Sequence, residues 1–125
     1  MNKAGLAVRR QVLGSEHVKR SLRAATDFDR EFQQYLTDHV WGALWTRPGV
    51  ELKTRSMITI AILAALGRLE ELRIHIRATR NTKVTLAELR EVLMHVGVYA
   101  GAPAGVSAFR VARETLVEME ALAKR

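Results

Sequence analysis

The chain has 125 residues, of which 48% are apolar, enough to form one domain with a single hydrophobic core. It contains no cysteine, which excludes disulfides, thiolate nucleophiles and cysteine-ligated zinc. The net charge of +7 favours an anionic partner, but the 20 Lys and Arg residues are scattered and form no long basic run. We therefore expect one domain over 1–125 that binds a small anion rather than nucleic acid.

Helical periodicity predicts that the first half of the chain is mostly α-helical. One helix is expected over 4–13, a second over 16–25 with Ser15 as its N-cap, and a third that Asp27 caps and that ends near Ala43. The segment 44–52, which contains Pro-Gly, is expected to be a loop.

The second half of the chain is also predicted to be helical. A helix over 51–66 is apolar on all sides, which is typical of burial in a bundle or at a subunit contact. A basic helix over 68–80 follows, then a helix that Thr85 and Glu88 begin with a capping box. Pro103 suits the first turn of the last helix. The result is a compact all-α bundle of about six to seven helices, whose exposed apolar surface favours a homo-oligomer.

No stretch of the sequence is typical of a membrane span or of a secretory leader. The N-terminus lacks a continuous apolar segment, and the longest apolar run, "MITIAILAALG", is too short to cross a bilayer. We expect a cytoplasmic protein that does not enter a membrane.

The stretch "ELRIHIRATRN", together with Arg68 just before it, contains the first candidate site. Arg68, Glu71 and His75 follow one another at spacings of three and four, so they lie on one face of a helix. A glutamate one turn before a histidine orients the ring and favours its charged form, which suits a general acid. Spacing alone leaves a surface pair, a core or interface histidine, catalysis and metal binding open. A metal is the least favoured of these, because no second histidine lies four residues away.

Two further groups of residues are candidates for binding an anion. Trp45 and Arg47 in "WGALWTRPG" could wall a pocket, although a role as core anchors is the more favoured one for the tryptophans. Arg55 lies near the start of the apolar helix, where a charge needs a partner or a ligand. His95, four residues after Glu91, repeats the spacing of the first pair. Its alternative role is a buried polar residue bonded to backbone.

Seven stretches, in order from about residue 7 to 109, resemble the 4-carboxymuconolactone decarboxylase family. They are "AVRRQVLGSEHVKRS", "DFDREFQ", "WGALWTRPG", "TRSMITIAILAAL", "ELRIHIRATRN", "VTLAELREVLMHVGVYAG" and "APAG". The resemblance implies an all-helical fold, like that of alkyl hydroperoxidase D, assembled as a hexamer. It implies removal of CO2 from a dianionic lactone, 4-carboxymuconolactone, in protocatechuate breakdown, with no cofactor and no metal.

The peroxidases of the wider superfamily carry a Cys–x–x–Cys–x–x–x–His helix and an upstream glutamate. In this chain Arg68 and Glu71 stand where the cysteines would be, and Ser56 falls where the glutamate would be. His75 keeps the histidine, so the resemblance implies a polar site without peroxidase chemistry. We expect His75 and Glu71 to be catalytic, and Arg47, Arg55, His95 and Trp45 to bind substrate.

One departure from the family pattern bears on the substrate. Val106 in "PAGVSAF" occupies a position where the family often carries asparagine, so a polar contact expected there is missing. This leaves open an altered lactone substrate or a non-catalytic member of the same fold. A basic helical nucleic-acid binder is the less favoured alternative, since no continuous basic stripe is present.

Overall fold

A computed structural model describes residues 1–123 of the chain. Within this range every regular element is helical, with eight α-helices and one π-helix, so the predicted all-α class is confirmed. No helix among these residues is long and apolar enough to span a membrane. The chain divides into two compact units, unit 1 (Met1–Leu52) and unit 2 (Lys53–Arg125). A single domain over the whole chain stays a prediction.

The helices of unit 1 are α1 (Lys3–Leu13), α2 (Ser15–Ala24), α3 (Arg30–Tyr35) and the π-helix (Leu36–Trp45). The predicted cap at Ser15 is wrong, because Gly14 is the N-cap of α2 and Ser15 is its first residue. Gly14 has φ 91°, a conformation that glycine adopts without strain, and it turns the chain directly from α1 into α2.

The third predicted helix begins later than expected and changes type along its length. Asp29 rather than Asp27 stands at the N-cap position, and its carboxylate accepts from Thr26 N in the preceding turn at 2.7 Å instead of capping the helix. Asp27 instead pairs with the Arg30 guanidinium. After Tyr35 the helix continues as a π-helix to Trp45, so the predicted loop begins at Thr46.

Helix α1 packs closely against the π-helix in unit 1. A Cβ atom on Gly5 would lie 2.8 Å from the Gly42 Cα atom, a separation that only glycine permits. Asn2 caps α1 by accepting from Gly5 N at 2.8 Å, and its own N–H donates to Asp38 Oδ1 at 2.7 Å. Unit 1 is therefore built on a backbone-to-backbone contact between these two helices.

The helices that follow are α4 (Leu52–Leu66), α5 (Leu69–Arg77), α6 (Thr79–Thr82), α7 (Leu86–Tyr99) and α8 (Ala102–Ala123). Three predicted boundaries are confirmed. Gly67 ends α4 with φ 70°, Thr85 and Glu88 form a capping box on α7, and Pro103 lies in the first turn of α8. The predicted helix over 68–80 is two helices instead, because the chain turns at Ala78, where Thr79 Oγ1 donates to Ile76 O at 2.6 Å.

The core of unit 2 lies between α4, α5, α7 and α8. Its fully buried large side chains include Ile60, Leu72, Ile76, Leu93 and Val111. Helix α4 buries only one side in this core, and Ile58, Ile62 and Leu66 on its other side are exposed. Bundle packing within one chain therefore does not bury every side of α4, and burial of its exposed side at a subunit contact stays a prediction.

Candidate functional site

Helix α5 carries the first predicted pair of site residues, and its sequence explains why it forms. Leu72 and Ile76, four residues apart, are fully buried in the core. Glu71 lies in the first turn and His75 in the last turn. Acidic side chains near the start of a helix and basic side chains near its end interact favourably with the helix dipole. The apolar stripe and the terminal charges together specify one short helix with a polar outer face.

Salt bridges hold α5 against α8. Arg73 Nη2 lies 3.1 Å from Glu114 Oε2, and Arg73 Nη1 lies 3.7 Å from Glu118 Oε1. One turn along α5, Arg77 Nη2 lies 3.1 Å from Glu118 Oε2. Because Arg73 and Arg77 flank His75 in sequence, this network restrains the part of the helix that carries the imidazole.

The predicted catalytic pair lies on this restrained helix. His75 is half-buried, and its Nδ1 atom is buried, whereas Glu71 one turn earlier is exposed. An imidazole in such a position, at the edge of an apolar core, is shielded from water on one side. It could therefore donate or accept a proton toward a ligand.

Arg55 and Ser56 lie in the first turns of α4. Arg55 is half-buried with its Nε atom buried, and Ser56 is fully buried. Ser56 Oγ accepts a hydrogen bond from Thr82 Oγ1 at 2.9 Å, and this bond links α4 to α6. Ser56, which the resemblance places where peroxidases carry glutamate, thus links two helices, a structural role that was not predicted.

His95 has a different environment from His75. It is exposed on α7, and its ring stacks on Tyr99 with centroids 4.9 Å apart. The two rings border an apolar cavity of about 290 Å³ between α4 and α7, lined also by Ala61, Ile62, Ala65, Val96 and Ala100. The alternative of a buried, backbone-bonded His95 is wrong because the side chain is exposed, and a substrate-binding role for His95 stays a prediction.

Trp45 and Arg47 belong to unit 1. Trp45 is the last residue of the π-helix and only 4% exposed, and it stacks on Trp41 with ring centroids 4.8 Å apart. Both tryptophans are therefore core residues of unit 1. Arg47 is exposed in the following loop, where its backbone N–H donates to Leu44 O at 3.0 Å. A substrate-binding role for either residue stays a prediction.

Unit 1 contains a buried arginine that was not among the predicted site residues. Arg9 is 5% exposed, and burial lowers the pKa of its guanidinium. It lies on the stripe formed by Gly5, Val8 and Val12, which are all buried on α1. The i, i+3, i+4, i+7 spacing of these four residues could have predicted the burial of Arg9, since it places them all on the inner face of the helix.

Two arginines of unit 2 were also not among the predicted site residues. Arg90 and Arg113 lie at a cavity of about 400 Å³ between α7 and α8 with mostly apolar walls, which are formed by Leu86, Leu89, Leu93, Phe109, Ala112, Leu116 and Val117. Nothing in the spacing of these arginines distinguishes them from solvated ones. Within residues 1–123 no group of three or more His, Asp or Glu side chains is arranged to hold a metal ion.

Comparison with known proteins places this geometry in a family. Residues 30–114 match the model of the carboxymuconolactone decarboxylase family. The match takes in the π-helix and all of α4 to α7, and so includes Trp45, Arg47, Arg55, Glu71, His75 and His95.

Two relatives are similar along nearly the whole chain, and a third is similar over part of it. A 4-carboxymuconolactone decarboxylase of Acinetobacter baylyi is 47% identical over 94% of this chain and 87% of its own length. A nitrosuccinic acid decarboxylase of Metarhizium robertsii is 40% identical over 92% of this chain and 80% of its own. A 4-carboxymuconolactone decarboxylase of Pseudomonas putida is 51% identical over 31% of this chain and 81% of its own.

Proposed function

The chain belongs to the carboxymuconolactone decarboxylase family, and we propose that it removes CO2 from 4-carboxymuconolactone to give 3-oxoadipate enol-lactone. The reaction would serve protocatechuate breakdown by the β-ketoadipate pathway and would need no cofactor and no metal. The observation that carries this proposal is the similarity to the Acinetobacter enzyme along almost the entire chain.

The chemistry defines what the site must supply. When the carboxylate on the γ carbon leaves as CO2, its bonding electron pair stays on that carbon. The neighbouring double bond passes the pair to the lactone carbonyl, where an oxyanion develops and needs a hydrogen-bond donor. A proton then reaches the α carbon from a general acid, and the ring regains its carbonyl. One acid and cationic anchors for the substrate are sufficient.

We propose that His75 is the proton or oxyanion donor and that Glu71 orients it. The support is the position of His75 at the edge of the core, on a helix that two arginines tie to α8. A partly desolvated imidazole at the end of a restrained helix can be aimed at one atom of a bound ligand.

Arg47 and Arg55 are proposed to hold the substrate carboxylates, since a guanidinium binds a carboxylate through two parallel hydrogen bonds. Arg55 is half-buried, which strengthens such a contact, and Arg47 is exposed. His95 and Trp45 are assigned supporting contacts: His95 borders an apolar cavity, and Trp45 fixes the segment that carries Arg47.

A second candidate is decarboxylation of another small anionic substrate. The Metarhizium relative, named as a nitrosuccinic acid decarboxylase, supports this alternative because it too is similar over most of the chain. Val106 also favours it, being 68% exposed on α8 at a cavity of about 550 Å³, where a valine makes no polar contact.

We propose a cytoplasmic homo-oligomer, as a hexamer, without nucleic-acid or membrane partners. An apolar face of α7 and α8 supports self-association, since Met94, Val98, Val106 and Val117 are all more than half exposed on it. Arg113 and Glu120 beside this face carry opposite charges, which can pair across a self-complementary contact. Sedimentation equilibrium measures the assembly, and a monomer would contradict it.

The direct test supplies purified protein with 4-carboxymuconolactone or nitrosuccinate, in separate reactions without added metal. Loss of substrate and release of CO2 are followed together. Turnover of the lactone well above that of nitrosuccinate supports the proposal, and the reverse preference supports the second candidate. Absence of CO2 release from both substrates would favour a non-catalytic member of the fold, and retention of duplex DNA with a steep salt dependence would favour the nucleic-acid alternative.

A further inference from the structure

The π-helix of unit 1 is an unusual element that the proposed reaction does not by itself explain. It runs for ten residues from Leu36 to Trp45. Most π-type segments in proteins are single-turn insertions in α-helices, and they often occur at functional sites. A long one requires contacts that hold its wider winding against the more stable α form. Those contacts indicate which residues control it.

Arg9 bridges the junction where the winding changes. Its Nη1 donates to Thr37 Oγ1 at 2.9 Å and its Nη2 donates to Gln33 Oε1 at 3.0 Å. Gln33 lies in α3 and Thr37 in the first turn of the π-helix. Thr37 Oγ1 also donates to Gln33 O at 3.2 Å, so one guanidinium and one hydroxyl connect the two windings.

This arrangement is energetically demanding, which argues that it has a purpose beyond packing. Arg9 is buried, and within residues 1–123 no carboxylate forms an ion pair with it. Its Nε atom is also buried and makes no hydrogen bond. A buried cation with only neutral partners is costly, whereas an apolar side chain there would pack without that cost. Unlike an apolar side chain, the planar guanidinium of arginine donates to two acceptors one turn apart and fixes their separation.

The register of the π-helix determines where the next residues stand. Trp41 and Trp45 are both buried and stacked, and Arg47 follows two residues after the helix ends. Because α and π windings turn the chain by different amounts per residue, a change of winding at Thr37 would rotate Trp45 and Arg47 relative to α1. The close contact of Gly5 with Gly42 prevents α1 from following such a shift.

We propose that Arg9 is a positioning residue that holds the π-helix in the register that presents Arg47 to the substrate. It acts through Gln33 and Thr37 and does not touch the substrate. The inference rests on the proposed function, in which Arg47 binds a substrate carboxylate.

The test compares Arg9→Gln with Arg10→Gln, a matched control at the exposed neighbouring arginine. Two quantities are measured on the full-length protein. One is the far-ultraviolet exciton couplet of the stacked tryptophans, which reports their mutual orientation. The other is the pair of constants KM and kcat for 4-carboxymuconolactone.

For Arg9→Gln we expect a reduced couplet and a KM raised roughly tenfold or more, with a smaller change in kcat, because substrate binding is misplaced. Arg10→Gln should match the wild type in both. An unchanged couplet with a raised KM would mean that Arg9 contacts the substrate directly, and an altered couplet with an unchanged KM would mean that the register is irrelevant to binding. Either result overturns the proposal, as does no change in both.

If Arg9→Gln does not fold, Thr37→Val removes the bridging hydroxyl, keeps a β-branched side chain and is judged by the same criteria. The proposed function can fail separately. A wild-type protein that releases no CO2 from the lactone refutes that function and the substrate part of this inference together. The couplet of the variants still decides whether Arg9 sets the register.

Discussion

Helices α5 and α7 each carry a glutamate four residues before a histidine, yet the two pairs have different surroundings. On α5, His75 is half-buried and lies between two arginines that bind α8. On α7, His95 is exposed and stacks on Tyr99, which is 83% exposed. The same spacing therefore gives one imidazole restrained at the edge of the core and one on the surface.

Spacing in the sequence thus identifies candidate histidines, whereas tertiary contacts decide which of them is held in place. A general acid needs a fixed position and partial exclusion from water, and α5 provides both. An exposed ring stacked on an exposed tyrosine can change rotamer together with its neighbour at little cost. We accordingly assign the chemistry to the α5 pair and a supporting contact to His95.

The largest expected effect separates the two histidines. His75→Gln should lower kcat for the lactone by roughly 10² to 10⁴, the usual contribution of a positioned general acid. His95→Gln, at the same helical spacing, should lower it by less than roughly tenfold. Steady-state kinetics with circular dichroism as the control for folding measure both. Equal losses in the two variants would remove the distinction between the helices.

A smaller effect is expected from loosening α5 while His75 is retained. Glu118→Gln weakens the contacts to both Arg73 and Arg77, whereas Glu114→Gln weakens only one contact to Arg73. Since these groups are partly exposed, the loss in the free energy of unfolding should be about 1 kcal/mol for the first variant and less for the second. Urea denaturation measures the free energy of unfolding of both variants. A greater loss of stability in Glu114→Gln than in Glu118→Gln would contradict the salt-bridge network described.

The smallest expected effect concerns the start of α7. Lys53 and the backbone N–H of Thr85 both donate to the Glu88 carboxylate and lower its pKa. A carboxylate with a lowered pKa stabilises the fold above its unfolded-state pKa, and this stability is lost as pH falls through the folded-state pKa. Thermal unfolding in mildly acidic buffers should thus depend on pH slightly less in Glu88→Gln than in the wild type. Glu91→Gln, exposed on the same helix, is the control, and an equal flattening there would refute the assignment.

Local signals in the sequence predicted much of unit 2. The capping box at Thr85, the helix end at Gly67 and the proline in the first turn of α8 each depend on neighbouring residues only. The buried stripe of Leu72 and Ile76 follows from helical periodicity in the same way.

Features that depend on tertiary contacts were not predictable. The π-helix depends on Arg9 reaching Gln33 and Thr37 from another helix, at sequence separations of 24 and 28 residues. The exposed side of α4 and the surface position of His95 depend likewise on which neighbours cover each face. A helical pattern identifies an apolar face but not the element that packs against it.

We proposed His75 as the proton or oxyanion donor, and the sharper form of that proposal is that His75 delivers the proton that ends the reaction. Decarboxylation of 4-carboxymuconolactone in D2O, with the product trapped at once and examined by NMR, tests it most directly. We expect the wild type and His95→Gln to place one deuterium on a single face of the α carbon. His75→Gln should give the residual product labelled on both faces, because protonation then comes from solvent. Single-face labelling by His75→Gln would contradict the claim.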